Sequence, residues 1–270
     1  MKALETARTI DLPDTRVAVS GDWHGNLAWL RTLAPAITAL APDVTTILQL
    51  GDWWMDAGAS DRIFMDAGIG RVYVTLGNHE PWGEISPLLH THPGEAVRVS
   101  EVTWILPRPA RMRIGGREIL AVAGASSVDK AWRTEGVDWW PDENISGLEV
   151  AAAIAGGQAD VMLTHESPAG TPVRGVREVL RTNPLGFPKA ARIESAVSRQ
   201  KVTSMWDAVR PDLLMHGHMH VPDGGTTCDG RRVVSMGCDG QQGNIALLDM
   251  GTLELEIPTL RQIRAAIGNV

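Results

Sequence analysis

Three apolar segments in the first part of the chain each end in a glycine that is followed by a carboxylate or an amide, and this pattern limits the possible folds. The segments span residues 16–20, 45–50 and 71–76, and the polar residues that follow them are Asp22, Asp52 and Asn78. Helically spaced apolar residues over 27–40, closed by Pro42, predict a helix after the first segment. Strands that alternate with helices indicate βαβ units. Because ligand sites of open α/β sheets lie at the carboxyl ends of strands, we expect these polar side chains there.

The remainder of the chain predicts more short strands and two further helices. The β-like segments span 96–99, 103–106, 112–114, 118–122, 160–163, 213–215, 233–236 and 244–249, and helical spacing spans 148–155 and 190–209. The 270 residues are 44% hydrophobic, which is enough to bury one large core. We therefore expect a single α/β domain spanning residues 1–270.

The charge and the cysteines restrict the class of protein. A formal net charge of −7 argues against generic binding to nucleic acids or membrane surfaces, so an anionic ligand would have to be attracted locally. Neither a signal-peptide core nor an apolar run of membrane-spanning length occurs, and we expect a soluble cytoplasmic protein. Cys228 and Cys238 lack the paired spacing of a zinc site, and we expect free thiols.

The placement of the eight histidines indicates a metal site. Residues 216–220 contain three of them, and His24 lies two residues after Asp22. Side chains two residues apart on an extended segment point to the same side, so Asp22 and His24 can chelate as a pair, as can His218 and His220. Mixed histidine and carboxylate ligands suit manganese, iron and zinc.

Five short motifs resemble those of the calcineurin-like metallophosphoesterase superfamily. They are Asp22-Trp23-His24-Gly25-Asn26, Gly51-Asp52, Gly77-Asn78-His79-Glu80, Thr164-His165 and Gly217-His218-Met219-His220. A lone Gly-Asp is weak, but Gly-Asn-His-Glu and Gly-His-x-His at predicted strand ends are specific, and all five occur in family order. Residues 127–133 and 139–143 resemble a bacterial and phage branch of the superfamily.

The resemblance implies a fold and a ligand set. The fold would be a layered αββα sandwich of two mixed β-sheets flanked by helices, with a dinuclear metal site at the carboxyl ends of strands. One metal would be held by Asp22, His24, Asp52 and His220, and the other by Asp52, Asn78, His165 and His218. Asp52 would bridge the two metals with its two carboxylate oxygens. Manganese is the favoured metal, with iron, zinc or a mixed pair as alternatives.

The resemblance also implies the chemistry. Two metals about 3.5–4 Å apart activate a shared hydroxide for in-line attack on phosphorus and neutralise charge on the phosphoryl oxygens. His79, which is not a ligand in the family, would protonate the leaving oxygen or stabilise its charge. The implied activity is hydrolysis of small phosphate esters as a phosphodiesterase, a phosphomonoesterase or both, and a nucleotide is one candidate substrate.

The sequence departs from the family pattern after the second motif. Eukaryote-like Ser/Thr protein phosphatases carry Asp-Arg-Gly there, and the arginine grips the substrate phosphate. With one inserted residue allowed, Ala57 stands where that arginine would be, which argues against the protein-phosphatase subclass. Asp56 is a candidate for the carboxylate that orients His79.

A basic segment between His165 and His218 could instead supply the side chains that bind the substrate phosphate. Residues 171–210 contain eight basic and three acidic residues, a local charge of +5 in an otherwise acidic chain. Arg174 and Arg177, which lie closest to His165 in sequence, are the predicted substrate contacts. The remaining basic residues are explained equally well as the solvated face of a helix, and they include Arg192, Arg199 and Lys201.

Several alternatives remain open from the sequence. A Ser/Thr protein phosphatase is the second hypothesis, and a nuclease is a weaker third because of the overall charge and the absence of an obvious DNA-binding module. A non-catalytic binding protein is argued against by the complete set of ligand residues and His79. Tryptophans next to the motifs could stack a nucleobase, although packing is their commoner role. They are Trp23, Trp53, Trp54 and Trp82. The substrate, the metal pair and the oligomeric state are not determined by the sequence.

Overall fold

A computed structural model describes residues 1–268 of the chain and contains fifteen strands and seven α-helices there. The strands are β1 Glu5–Ala7, β2 Asp11–Leu12, β3 Arg16–Ser20, β4 Thr46–Gln49, β5 Arg71–Val74, β6 Ala96–Arg98, β7 Thr103–Ile105, β8 Ala110–Ile114, β9 Arg117–Val122, β10 Val161–Thr164, β11 Leu213–His216, β12 Asp223–Thr226, β13 Arg232–Ser235, β14 Ile245–Asp249 and β15 Leu255–Glu256. The helices are α1 Leu27–Leu40, α2 Ala57–Asp66, α3 Trp82–Thr91, α4 Gly147–Ala155, α5 Arg174–Thr182, α6 Lys189–Val209 and α7 Leu260–Ile267.

The strands form two mixed sheets. The first has eight strands in the order β1-β6-β7-β5-β4-β3-β14-β15, and the second has seven in the order β12-β13-β11-β10-β9-β8-β2. Strands β7, β5, β4 and β3 run parallel in the first sheet, and β13, β11, β10 and β9 run parallel in the second. Other strands pair antiparallel with these groups at their flanks.

The two sheets pack face to face with helices on their outer faces. Val17 and Val19 of β3 lie in a buried cluster together with Leu163 of β10, whereas Ala18 faces the opposite way into the cluster that contains helix α1. Helices α4, α5 and α6 cover the outer face of the second sheet through residues such as Trp206. The predicted αββα sandwich of two mixed sheets is therefore confirmed.

Helix α1 shows how local sequence fixes one of these outer elements. The Asn26 side chain accepts a hydrogen bond from the backbone N–H of Trp29 and caps the helix, as a short polar residue does at this position. The apolar positions Leu30, Leu33 and Ile37 recur at helical spacing and are buried. The helix occupies the range that the sequence predicts and ends before Pro42.

Four helices are not predicted by apolar spacing, namely α2, α3, α5 and α7. Helix α5 illustrates the reason, because it buries Val176 while its remaining positions are largely polar or exposed. No side chain of the described residues caps the start of α5, so this short helix depends on its tertiary contacts.

The structure also bears on membrane-spanning helices and on the two cysteines. No helix within residues 1–268 is long and apolar enough to cross a membrane. Cys228 and Cys238 are free thiols, as expected.

Replacing Leu163 by alanine tests the core between the two sheets. Leu163 is fully buried, and the change leaves a cavity between the two sheets. The strands are held within their sheets and cannot move inward to fill this cavity. We expect the free energy of unfolding to fall by about 2–5 kcal/mol, measured by urea denaturation. Leu148→Ala is the matched control, because Leu148 is 85% exposed and its truncation should change stability by less than about 0.5 kcal/mol. Equal effects of the two changes would contradict the layer assignment.

Candidate metal centre

The predicted metal-binding residues lie where parallel strands of both sheets end. Asp22, Asp52 and Asn78 follow β3, β4 and β5 of the first sheet, and His165 and His218 follow β10 and β11 of the second. Because the two sheets stack, the ends of these strands face one another across the sandwich. The site therefore combines residues that are up to 198 positions apart in sequence, as in the contact between Asp22 and His220.

The turns after these strands are strained. His24, Asp52, His218 and His220 have positive φ angles of 45°, 51°, 64° and 51°, and Trp54 has one of 42°. Non-glycine residues rarely adopt this left-handed conformation, and each instance costs about 1–3 kcal/mol. Such strain clusters at functional sites, where the surrounding structure holds the turn and directs side chains toward a ligand.

A first group of side chains meets at one point. The potential ligand atoms of Asp22, His24, Asp52 and His220 all lie within 4.8 Å of one another. His220 Nε2 is 2.9 Å from Asp22 Oδ2, and His24 Nε2 is 3.5 Å from Asp52 Oδ2. These four residues are the ones that the family resemblance assigns to the first metal.

A second group adjoins the first through Asp52. His165 Nε2 lies 3.2 Å from Asp52 Oδ1 and 3.0 Å from Asn78 Oδ1. The ring of His218 packs beside that of His165, with centroids 5.0 Å apart. His218 Nε2 also lies 4.0 Å from a buried carboxylate oxygen of Glu166, a residue that the sequence does not single out.

Asp52 shows that the arrangement suits cations. Its carboxylate is fully buried and lies between His24 and His165, yet its Oδ2 atom has no hydrogen-bond partner among residues 1–268. An unpaired buried carboxylate oxygen is energetically costly. Divalent cations held by the two groups would compensate this carboxylate, and the oxygen and imidazole ligands present suit manganese, iron or zinc.

Neighbouring groups hold several of these side chains in the orientation that a ligand needs. His165 Nδ1 donates to the backbone oxygen of Leu50 over 2.6 Å, which leaves the Nε2 lone pair directed at the site. The amide nitrogen of Asn78 donates to Ser127 Oγ over 3.0 Å, so its oxygen faces His165. His24 Nδ1 donates to Asp239 Oδ1 over 2.9 Å, which frees Nε2.

The electrostatic potential of the site favours positive charge. Burial lowers the pKa of His165, but the carboxylates of Asp52 and Asp22 outweigh burial and raise that pKa to about 10. The pKa of His24 is raised to about 9 for the same reason, since contacts with Asp52 and Asp22 overcome desolvation. A potential that holds protons this strongly also favours a divalent cation, which would replace them.

Two glycines allow the ligand loops to approach this closely. A Cβ atom on Gly77 would lie 2.2 Å from Asp52 Oδ1, and one on Gly217 would lie 2.2 Å from Asp22 Oδ1. Real side chains do not tolerate such distances, so the carboxylates could not keep their positions. The glycines in the sequence motifs thus make room for the ligands that neighbour them in space.

Glu80, the last residue of the Gly-Asn-His-Glu motif, connects two of the loops. Its carboxylate accepts hydrogen bonds from the backbone N–H groups of Gly77, Trp53 and Trp54 over 3.0, 3.0 and 3.1 Å. Burial raises the pKa of Glu80 to about 7, with a further contribution from Asp52. Glu80 therefore fixes the relative position of the loops after β4 and β5.

His79 lies beside the two groups rather than within them. Its backbone N–H donates to Asp52 Oδ1 over 2.7 Å, and its Nε2 is 3.6 Å from Asp129 Oδ2. Burial lowers the pKa of His79. The sequence-based candidate for its carboxylate partner, Asp56, is wrong, because Asp56 caps helix α2 by accepting from the N–H of Ala59.

The loop at residues 125–144 supplies the support for Asn78 and His79. Ser127 Oγ accepts from Asn78 and from Arg133 and donates to the buried carboxylate of Glu143 over 2.8 Å. Glu143 also accepts from the N–H of Ser127 over 2.8 Å. Burial raises the pKa of Glu143 to about 7. This network ties the loop to Asn78, and the same loop places Asp129 beside His79.

A cleft of about 950 Å³ opens next to the site. Its lining includes Asp52, His79 and His220, together with residues of the 125–144 loop and of α6. Its basic residues are Lys189, Arg192 and Arg199. The predicted substrate contacts Arg174 and Arg177 are exposed on α5 and lie outside the described lining of this cleft, because α5 turns these side chains to solvent.

Most of the tryptophans next to the motifs have a packing role. Trp23, Trp53 and Trp82 are fully buried in the core against α1–α3. Trp54 is 56% exposed. Trp23, Trp53 and Trp82 therefore cannot stack on a nucleobase.

Sequence reasoning missed four polar residues that orient the site: Ser127, Asp129, Glu166 and Asp239. Asp239 lies shortly after β13, so the rule that found Asp22 and Asp52 could have found it. Ser127 and Asp129 lie in the segment 127–133 that resembles a branch of the superfamily, but that resemblance assigned them no role, since their positions depend on how a long loop folds back over the site. Glu166 directly follows His165, but its burial against His218 is a tertiary effect.

Comparison with known proteins identifies the family. The family model described as calcineurin-like phosphoesterase matches residues 15–222 of this chain. The chain therefore belongs to the calcineurin-like phosphoesterase family, and it is a metal-dependent phosphoric ester hydrolase. The group formed by Asp22, His24, Asp52 and His220, of which the two aspartates are buried, could hold a divalent metal ion of the kind that this family uses. No curated protein sequence matches the chain significantly.

Several solved structures are similar to this chain at low sequence identity. The protein TT1561 of Thermus thermophilus superposes with a TM-score of 0.53 and 16% identity, over 91% of this chain and 98% of that chain. A dimetal phosphatase from Danio rerio has a TM-score of 0.49 and 12% identity, over 87% of this chain and 92% of that chain. An archaeal phosphodiesterase has a TM-score of 0.44 and 16% identity, over 91% and 99%.

Gly77→Ala tests whether the glycines make room for the ligands. The added methyl group would force Asp52 away from its position, so we expect metal binding to be lost while most of the secondary structure is retained. Metal content is measured by mass spectrometry after dialysis, and folding by circular dichroism. Gly70→Ala is the control, because a Cβ atom there meets nothing within 4 Å. Full metal content in Gly77→Ala would contradict the argument.

Proposed function

We propose that the chain hydrolyses phosphate esters of small organic molecules with two divalent cations bound at this site. Asp22, His24, Asp52 and His220 would hold one cation, and Asp52, Asn78, His165 and His218 the other. The observation that carries the proposal is the buried Asp52 carboxylate, which faces histidines of both groups and has an unpaired oxygen. When bound, the metals would supply a water nucleophile at neutral pH and charge stabilisation at the phosphoryl group.

The protein residues would prepare the site for this chemistry. Asn78 offers a neutral oxygen, which limits the negative charge around the cations and keeps them electrophilic. Hydrogen bonds to Leu50, Ser127 and Asp239 hold the ligand side chains in position before substrate arrives. Orientation that is fixed in advance reduces the entropy lost when substrate binds.

His79 would donate a proton to the leaving oxygen of the ester. It lines the cleft beside Asp52, and Asp129 lies 3.6 Å from its Nε2. Asp129 would act as a positioning residue that favours the protonated imidazole. Arg133 lies 3.7 Å from Asp129 and restrains that carboxylate in turn.

Small substrates are favoured by what surrounds the site. Ala57, at the position of the protein-phosphatase arginine, begins helix α2 and offers no cationic group. The basic residues at the cleft are Lys189, Arg192 and Arg199, and they belong to the wall formed by α6. A small anionic ester could be attracted there in spite of the acidic charge of the chain.

The assay that tests the proposed function uses metal-stripped protein reloaded with Mn²⁺, Fe²⁺ or Zn²⁺. The substrates are aryl phosphate mono- and diesters, cyclic nucleotides and a phosphopeptide. We expect hydrolysis of at least one aryl ester, with about two metal ions bound per chain. A phosphopeptide as the best substrate would support a protein phosphatase instead. No hydrolysis of any substrate with any of the metals would reject the proposal.

Asp52→Asn tests the bridging role. The amide provides one oxygen and no charge, so we expect loss of at least one metal ion per chain and of turnover. Asp56→Asn is the matched control, because asparagine caps a helix about as well as aspartate. Undiminished turnover in Asp52→Asn would exclude a bridging carboxylate.

His79→Ala tests the proton donor through the leaving group. With a phenyl ester, whose leaving oxygen needs a proton, we expect kcat to fall by about 10²–10⁴-fold. With a 4-nitrophenyl ester, whose leaving phenolate is stable, the loss should be much smaller. An equal loss with both esters would indicate that His79 has a structural role.

A further inference from the structure

The cleft beside the metal centre has a polar base and largely apolar walls. The base contains the metal-site residues, whereas the walls are formed by Val128, Trp132, Leu180, Leu185, Phe187 and Ile193 among others. Its volume of about 950 Å³ is at the upper end of the range for small-molecule pockets, about 300–1,000 Å³. The space therefore exceeds what a phosphate group alone requires.

The apolar walls come from separate elements that expose large side chains toward this cleft. Trp132 is 64% exposed, Leu185 is 72% exposed and Ile193 is 56% exposed. Trp132 belongs to the 125–144 loop, Leu185 to the α5–α6 connection and Ile193 to α6. Trp132 and Phe187 pack with ring centroids 5.7 Å apart, which joins the two loops. Exposed apolar side chains gathered around one cavity indicate a binding surface.

Apart from the metal-site residues and the charged side chains of Asp129, Lys189, Arg192 and Arg199, the cleft offers few polar groups that could recognise a nucleobase edge or a peptide backbone. Asn183 uses both polar atoms of its side chain on the backbone of Phe187. Ser195 is only 2% exposed. A base or a peptide would replace only part of its hydrogen bonds to water here, which is costly. An alkyl or aryl group has no such requirement.

Charge in the cleft is complementary to a phosphate ester. Lys189, Arg192 and Arg199 line the α6 wall, and the metal centre lies at the base. A ligand with an anionic head and an apolar tail would match the base and the walls at the same time.

We propose that the substrates are phosphate esters of apolar alcohols, and that the apolar group binds between the 125–144 loop and the α5–α6 connection. This inference rests on the proposed function, because the phosphate must reach the metal centre. It names the substrate class that the cleft selects.

The test compares n-alkyl phosphate esters from methyl to octyl. They are monoesters or diesters, according to which class of aryl ester the protein hydrolyses. The reacting group is the same throughout, so differences report on the alkyl chain. Each methylene that enters the cleft should raise kcat/KM by about three- to fourfold, until the chain leaves the cleft. A cyclic nucleotide or a phosphopeptide that exceeds the octyl ester in kcat/KM would overturn the inference.

Leu185→Ser and Leu148→Ser form a matched pair. Both leucines are largely exposed, at 72% and 85%, but only Leu185 lines the described cleft. We expect Leu185→Ser to lower the ratio of octyl to methyl kcat/KM by about tenfold, whereas Leu148→Ser should leave the ratio unchanged. An unchanged ratio in both variants would contradict the placement of the apolar group.

Binding measured without turnover separates this inference from the proposed function. Octylphosphonate and methylphosphonate cannot be hydrolysed, and calorimetry gives their Kd values for the metal-loaded protein. We expect octylphosphonate to bind more tightly, and Leu185→Ser to reduce the difference. Equal Kd values, or equal kcat/KM along the ester series, would reject the apolar cleft and leave ester hydrolysis intact. If octylphosphonate binds tightly but no ester is hydrolysed, only the proposed hydrolysis of phosphate esters is rejected.

Discussion

The buried carboxylate of Asp52 is the constraint on which the rest of the site depends. It lies where the ends of the two sheets meet, faces His24 and His165, and retains an oxygen without a hydrogen-bond partner among the described residues. A buried carboxylate is unfavourable unless neighbouring positive charge compensates it. The imidazoles around Asp52 are therefore held in a potential that favours cations, and two divalent ions would balance it. The family assignment agrees with this electrostatic argument.

The same requirement explains the backbone around the site. His24, Asp52 and His218 adopt left-handed conformations that cost about 1–3 kcal/mol each. The strain is sustained because the strands before these residues are paired within two rigid sheets. Glycines such as Gly77 leave space in which carboxylates from a neighbouring loop can approach. The stable sandwich therefore holds the strained ligand loops in a conformation that isolated loops would not keep.

Chemistry and selectivity are assigned to different parts of the molecule. The candidate ligands follow strand ends, where the scaffold fixes their positions. The cleft walls are formed by the 125–144 loop, the α5–α6 connection and α6. Loops tolerate change without disturbing the sheets, so they are suited to determine which organic group is bound. The 125–144 loop also reaches inward, since Ser127 holds the amide of Asn78.

The sequence by itself determined the α/β class and the strand ends through apolar periodicity, and the resemblance of its short motifs to the family implied the two-sheet sandwich and the candidate ligands, because periodicity and short motifs are local signals. It did not reveal Asp129 beside His79, or the contacts of Asp239 and Glu166, because these depend on loops that fold back over the site. Asp56 was misassigned since its side chain caps its own helix. Arg174 and Arg177 were predicted as substrate contacts because they are close to His165 in sequence. In the structure, α5 directs both side chains toward solvent and away from the cleft. Only the tertiary structure, which brings α6 and two distant loops together, defined the cleft.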